Sequence, residues 1–253
     1  MTLPFDLEDD RPLQMGLVAL QSDETVERDL RRLLPDTVEY MISRVPSAAT
    51  VSPDTLRQMA DDLTTAAALF PRGANMACVG YGCTSGTAEI GADKIAHLIT
   101  MGVPTPHVTN PVTALIAACR HLHITRLGLI SPYIASVSDR LRHVLALAGI
   151  EVTAFASFDE PLEERVVRIS TGSIVQAACG LGDADQFDAV FLSCTNLRTL
   201  PAIPEIEAAL RLPVLSSNLV LAWHMAALAG PGLRPGLPYR LGRAPQDGPM
   251  HKS

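Results

Sequence analysis

Two cysteines with similar sequence neighbours are the residues best suited to chemistry in this chain. Cys83 and Cys194 each follow an apolar run, and each is followed at once by a threonine. An unperturbed thiol titrates near pH 8.5, so modest local help makes it a base, a nucleophile or a proton donor at neutral pH. Two thiols on opposite faces of a planar carbon suit racemisation by proton exchange, or double-bond isomerisation by reversible addition. We therefore predict that Cys83 and Cys194 are a catalytic pair facing one pocket.

The remaining cysteines are interpreted as packing residues, because cysteine is among the residues most often buried. They are Cys78, Cys119 and Cys179. The total of five is odd and no CxxC pair occurs, which argues against a disulfide framework or a zinc site. Free thiols suit a reducing cytoplasm. The predicted two-thiol chemistry needs neither a metal nor a cofactor, and we expect none.

Small polar residues and a tyrosine beside predicted strand ends are candidate substrate ligands. Thr84, Ser85 and Thr195 offer hydroxyl and backbone N–H groups that can bind a carboxylate, although the same groups can cap the next helix. Tyr133 could donate its phenol hydrogen to a substrate oxygen or simply pack. Asp23 lies in the turn after the first predicted strand, where it could bind a ligand or cap a helix.

Both cysteines are predicted to lie at the carboxyl ends of buried strands. Residues 77–80 and 189–192 are short apolar runs that lead towards Cys83 and Cys194, and such runs are typical of parallel strands covered on both faces. A helix is predicted over 87–101. Because ligands of parallel α/β sheets bind outside the carboxyl ends of the strands, both thiols are expected at one ligand site.

An internal repeat supports this arrangement. Gly16 lies 67 positions before Cys83, and Gly128 lies 66 positions before Cys194. Each glycine sits in a similar apolar run, and each cysteine precedes a helix, a proline-containing strand and an asparagine. The two asparagines, both interpreted as caps or turn residues, are Asn110 and Asn218. Repetition at this spacing predicts a duplicated βαβ unit.

The predicted fold class is α/β, with two pseudo-symmetric lobes that each contain a parallel sheet flanked by helices. The active site is expected between the lobes. Lobe 1 is predicted to comprise 13–112 plus 217–230, and lobe 2 to comprise 113–216. The segments 1–12 and 231–253 are predicted to be loose tails, since they are rich in acidic residues, proline or glycine.

Composition narrows the range of partners. The net charge of −7 and the isoelectric point near 5.5 disfavour nucleic acid and anionic membranes as partners. The first residues lack a basic stretch followed by an apolar one, and no apolar run approaches 18 residues. These features predict a cytoplasmic protein without a membrane segment.

Three motifs of the chain resemble the aspartate/glutamate racemase superfamily, and within it the branch of maleate cis–trans isomerase and arylmalonate decarboxylase. The motifs are 80–87, 131–133 and 192–196, and the resemblance runs from about Met15 to Gly230. It implies two α/β lobes without a cofactor, frequently assembled as dimers or tetramers, so we expect a homo-oligomer.

The resemblance also implies roles for individual residues. Cys83 would match the nucleophile of the isomerases, Cys194 the second cysteine that gives or takes a proton, and Tyr133 a tyrosine that binds a substrate carboxylate. Arylmalonate decarboxylases keep only the second cysteine, so the presence of Cys83 disfavours that activity.

One departure from the isomerase pattern concerns charge. Asp23 stands where maleate isomerases carry asparagine, and a second family asparagine falls near Glu163. An ionised Asp23 would repel a dianion such as maleate. These changes resemble the ectoine-utilisation protein of this branch, which implies a zwitterionic ligand.

The expected function is therefore a cofactor-independent isomerase of the maleate cis–trans isomerase type, acting on a small carboxylic or zwitterionic acid. One alternative is an amino-acid or ectoine-type racemase that works by two-thiol proton transfer. The other alternative is a non-catalytic protein that kept the pocket to bind a metabolite.

Overall fold

Two separate four-stranded parallel sheets organise the computed structural model, which describes residues 1–8 and 11–243. The first sheet contains β1 Leu13–Leu20, β2 Val38–Val45, β3 Met76–Gly82 and β4 Val108–Thr109. The second contains β5 Arg126–Ser131, β6 Glu151–Ser157, β7 Ala189–Leu192 and β8 Val214–Ser216. The strand orders are β2-β1-β3-β4 and β6-β5-β7-β8, so the second sheet repeats the topology of the first. This confirms the predicted pseudo-symmetric α/β architecture.

Helices connect the parallel strands in both halves. In the first half they are α1 Val26–Leu33, α2 Pro53–Ala67, α3 Thr84–Ile90, α4 Ala92–Gly102 and α5 Pro111–His121. In the rest of the described chain they are α6 Ala135–Leu147, α7 Glu163–Val166, α8 Thr171–Cys179, α9 Ile203–Leu210, α10 Ser217–Ala229 and α11 Arg240–Arg243. A short 3₁₀ turn covers Ala184–Gln186.

The central strands are apolar because both faces of each sheet are covered. β1 is buried along almost its whole length, and β7 is buried at all four residues. The edge strand β6 is mostly half-buried, in keeping with its position. Continuous apolar runs are typical of parallel strands packed between helical layers. The helix α10 is buried through Ala226 and contacts α5, β3 and α1. The lobe boundaries themselves stay a prediction.

The internal repeat extends to packing around two glycines. A Cβ atom added to Gly16 would lie 2.9 Å from the Phe70 ring. One added to Gly128 would lie 3.2 Å from the Phe187 ring and 2.6 Å from Leu181. Each phenylalanine precedes the strand that carries a cysteine at its end. The close approach of a ring to the central strand therefore requires glycine in both halves.

Side-chain caps explain several helix starts. Ser52 and Thr55 form a capping box at the start of α2, with Pro53 in the first turn. Asn110 caps α5 by accepting the Thr113 N–H at 2.8 Å, as expected. Asn218 does not cap a helix, because Ser216 takes that position in α10. Its amide instead donates to the carboxylate of Asp29 and to the carbonyl of Thr195.

The predicted helix over 87–101 is wrong as a single element. Two helices, α3 and α4, meet at Gly91, whose φ of +94° interrupts the helical backbone. Glycine adopts this conformation without the steric cost that a side chain would add. The first of the two helices, α3, begins directly after Cys83.

The prediction of a loose tail is wrong for residues 231–243. The Arg234 N–H donates to the carbonyl of Leu33 at 2.7 Å, and its guanidinium pairs with Asp36. Tyr239 and Leu241 are buried. The rest of that prediction, residues 244–253, lies outside the described residues, while residues 1–8 are exposed and outside any helix or strand.

Within residues 1–8 and 11–243, no helix combines the length and hydropathy needed to cross a membrane.

Replacing Gly16 or Gly128 by alanine should destabilise the fold by about 1–3 kcal/mol, since the buried phenylalanine ring behind each has little room to move. This cost should exceed the roughly 0.5–1 kcal/mol gained by removing a glycine from a strand. Urea denaturation would measure it, with Gly73→Ala as the control because an added Cβ there meets nothing within 4 Å. Unchanged midpoints for both variants would contradict this packing.

Candidate active site

One cavity brings together all seven residues that the sequence singles out as candidates. Its lining is Leu20, Asp23, Cys83, Thr84, Ser85, Tyr133, Glu163, Cys194, Thr195 and Asn196. The cavity volume is about 10 Å³. This is the space of about one water molecule, so a substrate enters only after the site opens. Both cysteines border the same space, as the two-thiol chemistry requires.

Strand ends from both sheets deliver most of the lining. Asp23 follows β1 and Cys83 follows β3 in the first sheet, while Tyr133 follows β5 and Cys194 follows β7 in the second. β1 and β3 are neighbours, as are β5 and β7. The carboxyl ends of the two central strand pairs therefore meet at one cavity.

Cys83 is the N-cap of α3. Its sulfur accepts the backbone N–H of Gly86 at 3.1 Å. Burial raises the pKa of the Cys83 thiol to about 12, and the Gly86 N–H offsets only part of this rise. The charges of Glu163 and Asp23 raise it further. In the closed site Cys83 is therefore a neutral thiol at pH 7.

Cys194 is held in a strained backbone conformation. Its φ of +97° is rare for a residue with a side chain and costs on the order of 1–3 kcal/mol. Its N–H donates to the hydroxyl of Ser217 at 3.0 Å. Its sulfur accepts the N–H of Asn196 at 3.3 Å and lies 2.9 Å from the Tyr133 hydroxyl. Burial raises the pKa of the Cys194 thiol well above its ordinary value, and the Glu163 charge adds to the rise.

Glu163 is a buried carboxyl group with both oxygens bonded. Oε1 accepts the Tyr133 hydroxyl at 2.6 Å, and Oε2 accepts the Asn196 side-chain amide at 2.8 Å. Burial raises the pKa of Glu163, which these two hydrogen bonds partly oppose. The resemblance places an isomerase asparagine near this residue, so the cavity carries an acid at that position.

Asp23 caps α1 and also faces the cavity. Oδ1 accepts the backbone N–H groups of Thr25 and Val26, both at 2.7 Å. Oδ2 is buried without a hydrogen-bond partner. Burial raises the pKa of Asp23, and the two N–H groups lower it less than burial raises it. The residue therefore combines the two roles that the sequence leaves open: a helix cap, and a free carboxyl oxygen beside the ligand space.

Hydroxyl groups beside the cysteines join the two halves of the site. The hydroxyls of Thr84 and Ser217 lie 2.7 Å apart, and Thr195 donates to the carbonyl of Gly82 at 3.1 Å. Ser85 lines the cavity. The first contact joins the start of α3 to the start of α10, where Ser217 also accepts the Cys194 N–H. The second joins the end of β3 to the turn after β7, so together they fix the relative position of the two cysteines.

Two loops, one from each half of the chain, form a clasp over the residue Glu163. We call residues 49–51 and 161–163 the clasp. The Val51 N–H donates to the Pro161 carbonyl at 3.0 Å, and the Glu163 N–H donates to the Ala49 carbonyl at 3.3 Å. Thr50 and Leu162 are paired in an isolated antiparallel bridge between them. The clasp therefore positions Glu163 and links the loop after β2 to the loop after β6.

The cavity wall is acidic. None of its ten residues is arginine, lysine or histidine, whereas Asp23 and Glu163 both contribute carboxyl groups. No group of three or more histidine, cysteine, aspartate or glutamate side chains is arranged to hold a metal ion in the described part of the chain.

Asn196 and Ser217 are site residues that the sequence patterns do not identify. Asn196 connects Glu163 to the turn after β1, because its Oδ1 accepts the Glu24 N–H at 2.9 Å. Ser217 binds the backbone of Cys194. The signal for Asn196 was its place two residues after the cysteine. The signal for Ser217 was its place next to Asn218 in the repeat.

Fold and site together define a class: two-lobed α/β proteins in which repeated strand ends bring two cysteines to one buried cavity. The chain belongs to the arylmalonate decarboxylase family, whose model matches residues 16–238.

Individual relatives differ in activity. The chain is 34% identical over 154 residues to arylmalonate decarboxylase from Bordetella bronchiseptica, covering 60% of this chain and 63% of that enzyme. It is 26% identical over 220 residues to maleate isomerase from Geobacillus stearothermophilus, covering 81% and 86%.

A solved structure shares the fold. It is a cysteine-to-serine mutant of Nocardia farcinica maleate cis–trans isomerase with a covalently bound succinylcysteine intermediate. The TM-score is 0.78 at 21% identity, and the match covers 92% of this chain and 99% of that one.

A disulfide bond across the clasp should block the access of small reagents to both cysteines. Thr50 and Leu162 form a non-hydrogen-bonded antiparallel pair, for which the Cα separation is typically about 4.5 Å, within disulfide range. The oxidised Thr50→Cys, Leu162→Cys double variant should therefore label with iodoacetamide at least about tenfold more slowly at Cys83 and Cys194, since the closed cavity holds only one water. Peptide mapping by mass spectrometry would follow each site. Dithiothreitol should restore the rate, and each single variant should label like the wild type. Unchanged labelling of the oxidised form would show that entry does not pass the clasp.

Asp23→Asn should change the pH dependence of stability. In the folded state the pKa of Asp23 is raised above its ordinary value of 3.8, so the folded protein holds a proton that the unfolded chain releases. This contribution is fully present below the unfolded pKa and is lost as pH rises through the folded pKa. The melting temperature of the variant relative to the wild type should therefore increase from pH 4 to pH 7. Asp61→Asn, on the exposed face of α2, is the matched control. A relative melting temperature that falls with pH would contradict the assignment.

Proposed function

We propose that this chain is a cofactor-independent isomerase of the maleate cis–trans isomerase type, which uses Cys83 and Cys194 on a small carboxylic acid. The observation that carries the proposal is that both cysteines line one closed cavity. Each sulfur is also oriented by a backbone N–H, from Gly86 and Asn196. Such fixed positions on one cavity suit attack and proton transfer at neighbouring carbon atoms.

The proposed reaction has balanced steps. The Cys83 S–H bond breaks as a carboxylate of the cavity, Asp23 or Glu163, takes the proton, and it re-forms when the thiolate leaves at the end of the cycle. The Cys83 thiolate adds to one carbon of the double bond, and the neighbouring carbon takes a proton from Cys194. The former double bond is then a single bond and rotates. Removal of that proton by Cys194 and loss of the Cys83 thiolate restore the double bond in the other geometry. A saturated thioether of this kind is what the succinylcysteine of the Nocardia farcinica enzyme represents in that protein.

Arylmalonate decarboxylation is the second candidate, because the 34% identical relative carries that name. The family resemblance implies that decarboxylases keep only the second cysteine, which is Cys194 here. The presence of Cys83 on the cavity wall favours isomerisation over this candidate.

The charge of the cavity narrows the substrate class. With no cationic side chain on the wall and the Asp23 Oδ2 unpartnered, an N–H or amidinium group on the ligand would supply the missing hydrogen-bond donor. A dianion such as maleate would instead require Asp23 and Glu163 to be protonated, which their raised pKa values make easier. Because no cationic side chain on the wall can pair with a second carboxylate, a zwitterionic acid of the ectoine-utilisation type is the favoured ligand within the proposal. Homo-oligomeric assembly and a cytoplasmic location stay predictions from the sequence.

Turnover by cysteine variants tests the function. The wild-type protein, without added cofactor, should isomerise a cis unsaturated acid from a panel of maleate, arylmalonate and zwitterionic amino and amidine acids, followed by proton NMR. Cys83→Ser and Cys194→Ser should each lower kcat by at least about 10³-fold, because the first removes the nucleophile and the second removes the proton donor. Cys179→Ser, which changes a half-buried cysteine outside the cavity wall, is the control.

The outcomes separate the candidates. Release of carbon dioxide from arylmalonate at a rate unaffected by Cys83→Ser would favour the decarboxylase. In a thermal-shift assay, zwitterions should raise the melting temperature more than maleate does, and the reverse order would overturn the proposed ligand charge. Binding without turnover of any panel member would leave the protein a metabolite-binding homologue.

A further inference from the structure

The hydrogen bonds of Tyr133 connect Cys194 to a buried acid. Its hydroxyl lies 2.9 Å from the Cys194 sulfur and 2.6 Å from Glu163 Oε1. The three side chains are buried, and all border the same cavity. Cys83 has no such connection to an acid, since its neighbours are the Gly86 N–H and the Tyr81 hydroxyl, and that hydroxyl lies next to the Met59 sulfur. The two cysteines therefore differ in their access to a proton acceptor.

A phenol has one hydrogen, so its two partners impose a direction on the chain of hydrogen bonds. In one arrangement the Cys194 thiol donates to the Tyr133 oxygen, and the phenol donates to the Glu163 carboxylate. In the other, protonated Glu163 donates to the phenol oxygen, and the phenol donates to the Cys194 thiolate. The two arrangements have the same atoms and the same net charge.

We propose that Glu163 exchanges a proton with Cys194 through the Tyr133 hydroxyl, and thereby serves as the local proton store of that thiol. In the forward direction the S–H bond of Cys194 breaks as a new O–H bond forms on Tyr133. The original phenol O–H bond breaks as one forms on Glu163. Because burial raises the pKa of Tyr133 well above its usual value, the two transfers occur together and no free phenolate forms.

The small cavity limits the ways in which a proton can leave Cys194. A volume near that of one water molecule leaves little room for a chain of water molecules that could carry away a proton released by Cys194. The other acid of the cavity is Asp23, whose Oδ1 is occupied by two backbone N–H groups and whose Oδ2 has no hydrogen-bond partner. Glu163 is thus the acid on the cavity wall that is hydrogen-bonded to a cysteine through a hydroxyl.

Asn196 stabilises the ionised form of Glu163. Its side-chain amide donates to Glu163 Oε2 at 2.8 Å, which leaves Oε1 as the oxygen that faces the phenol. Its backbone N–H donates to the Cys194 sulfur at 3.3 Å. One residue therefore stabilises the negative charge at both ends of the relay, wherever the proton resides. The use of the transferred proton in catalysis depends on the proposed function, whereas the relay itself does not.

The relay is tested in the substrate-free protein by NMR titration of cysteines labelled with ¹³C at Cβ, assigned with single cysteine variants. The titratable side chains that share the cavity with Glu163 are Asp23, Cys83, Tyr133 and Cys194. In the wild type, the Cys194 signal should show a small first step, in the direction of its thiolate position, at the ionisation of Glu163, because the thiol then begins to share its proton with the Tyr133 oxygen. It should complete the change only at high pH. Cys83 should lack the first step.

Two variants distinguish proton transfer from a purely electrostatic effect of the Glu163 charge on Cys194. Glu163→Gln should remove the first step at Cys194, leaving a single step at high pH. Tyr133→Phe keeps the Glu163 charge but removes the hydroxyl that is hydrogen-bonded to both Glu163 and Cys194, so the Cys194 thiol loses the partner that responds to Glu163 and the same step should disappear. Glu160→Gln, an acid of the same loop that pairs with Arg165 and does not border the cavity, is the matched control and should keep both steps.

Two results of the titration would contradict the relay. A first step that persists in Tyr133→Phe, or that appears equally at Cys83, would show that Glu163 acts through its field alone and would overturn the relay. If Glu163→Gln fails to fold, Tyr133→Phe gives the decision. Because no substrate is present, loss of the step in an otherwise inactive protein would support the relay and count only against the proposed function.

Discussion

Burial of proton-carrying groups around one small cavity is the physical constraint on which the site depends. Desolvation raises the pKa values of Cys83, Cys194, Asp23 and Glu163 together. Each group therefore favours its neutral form while the cavity is closed, because an isolated charge in a dry interior is costly. Charge can appear there only when a proton moves between neighbours or when a ligand brings its own charge. Proton transfer inside the site thus has to be short and local.

The duplicated topology is what makes such a cavity possible. A single parallel sheet presents its ligand site at the carboxyl ends of its strands, open to solvent on one side. Two copies facing each other close that side, and hydrogen bonds such as those of Thr195 with Gly82 and Thr84 with Ser217 hold the strand ends together. The clasp adds a second connection above Glu163. An enclosed site made in this way needs an opening motion before any ligand can bind.

Membership of the arylmalonate decarboxylase family covers enzymes whose chemistry differs, and the distinction lies in a few side chains. The relatives include a decarboxylase and maleate isomerases. In this chain the cavity has two thiols and two carboxyl groups, with no cation on its wall. An acid near the second cysteine supplies a proton partner that a neutral amide in its place would not. The identity of that one side chain therefore affects both the ligand charge and the way in which Cys194 changes protonation.

Local pattern determined much of this protein from the sequence by itself. Buried strands are recognisable as apolar runs. The positions of Cys83 and Cys194 at strand ends, the duplicated α/β fold and seven of the ten residues that line the cavity could therefore be predicted. The break at Gly91 could not, because a glycine within a helical pattern is compatible with either outcome until packing decides.

The tertiary structure alone decided the contacts between distant segments. Glu163 reaches the cavity because a loop more than a hundred residues earlier in the chain pairs with it, and residues 231–243 are ordered by Leu33 and Asp36. Periodicity reports which face of an element is buried, whereas it carries no information on which distant partner satisfies a given carboxyl or amide group. For that reason the cysteines were visible in the sequence, while the hydrogen-bonded chain from Cys194 through Tyr133 to Glu163 required the fold.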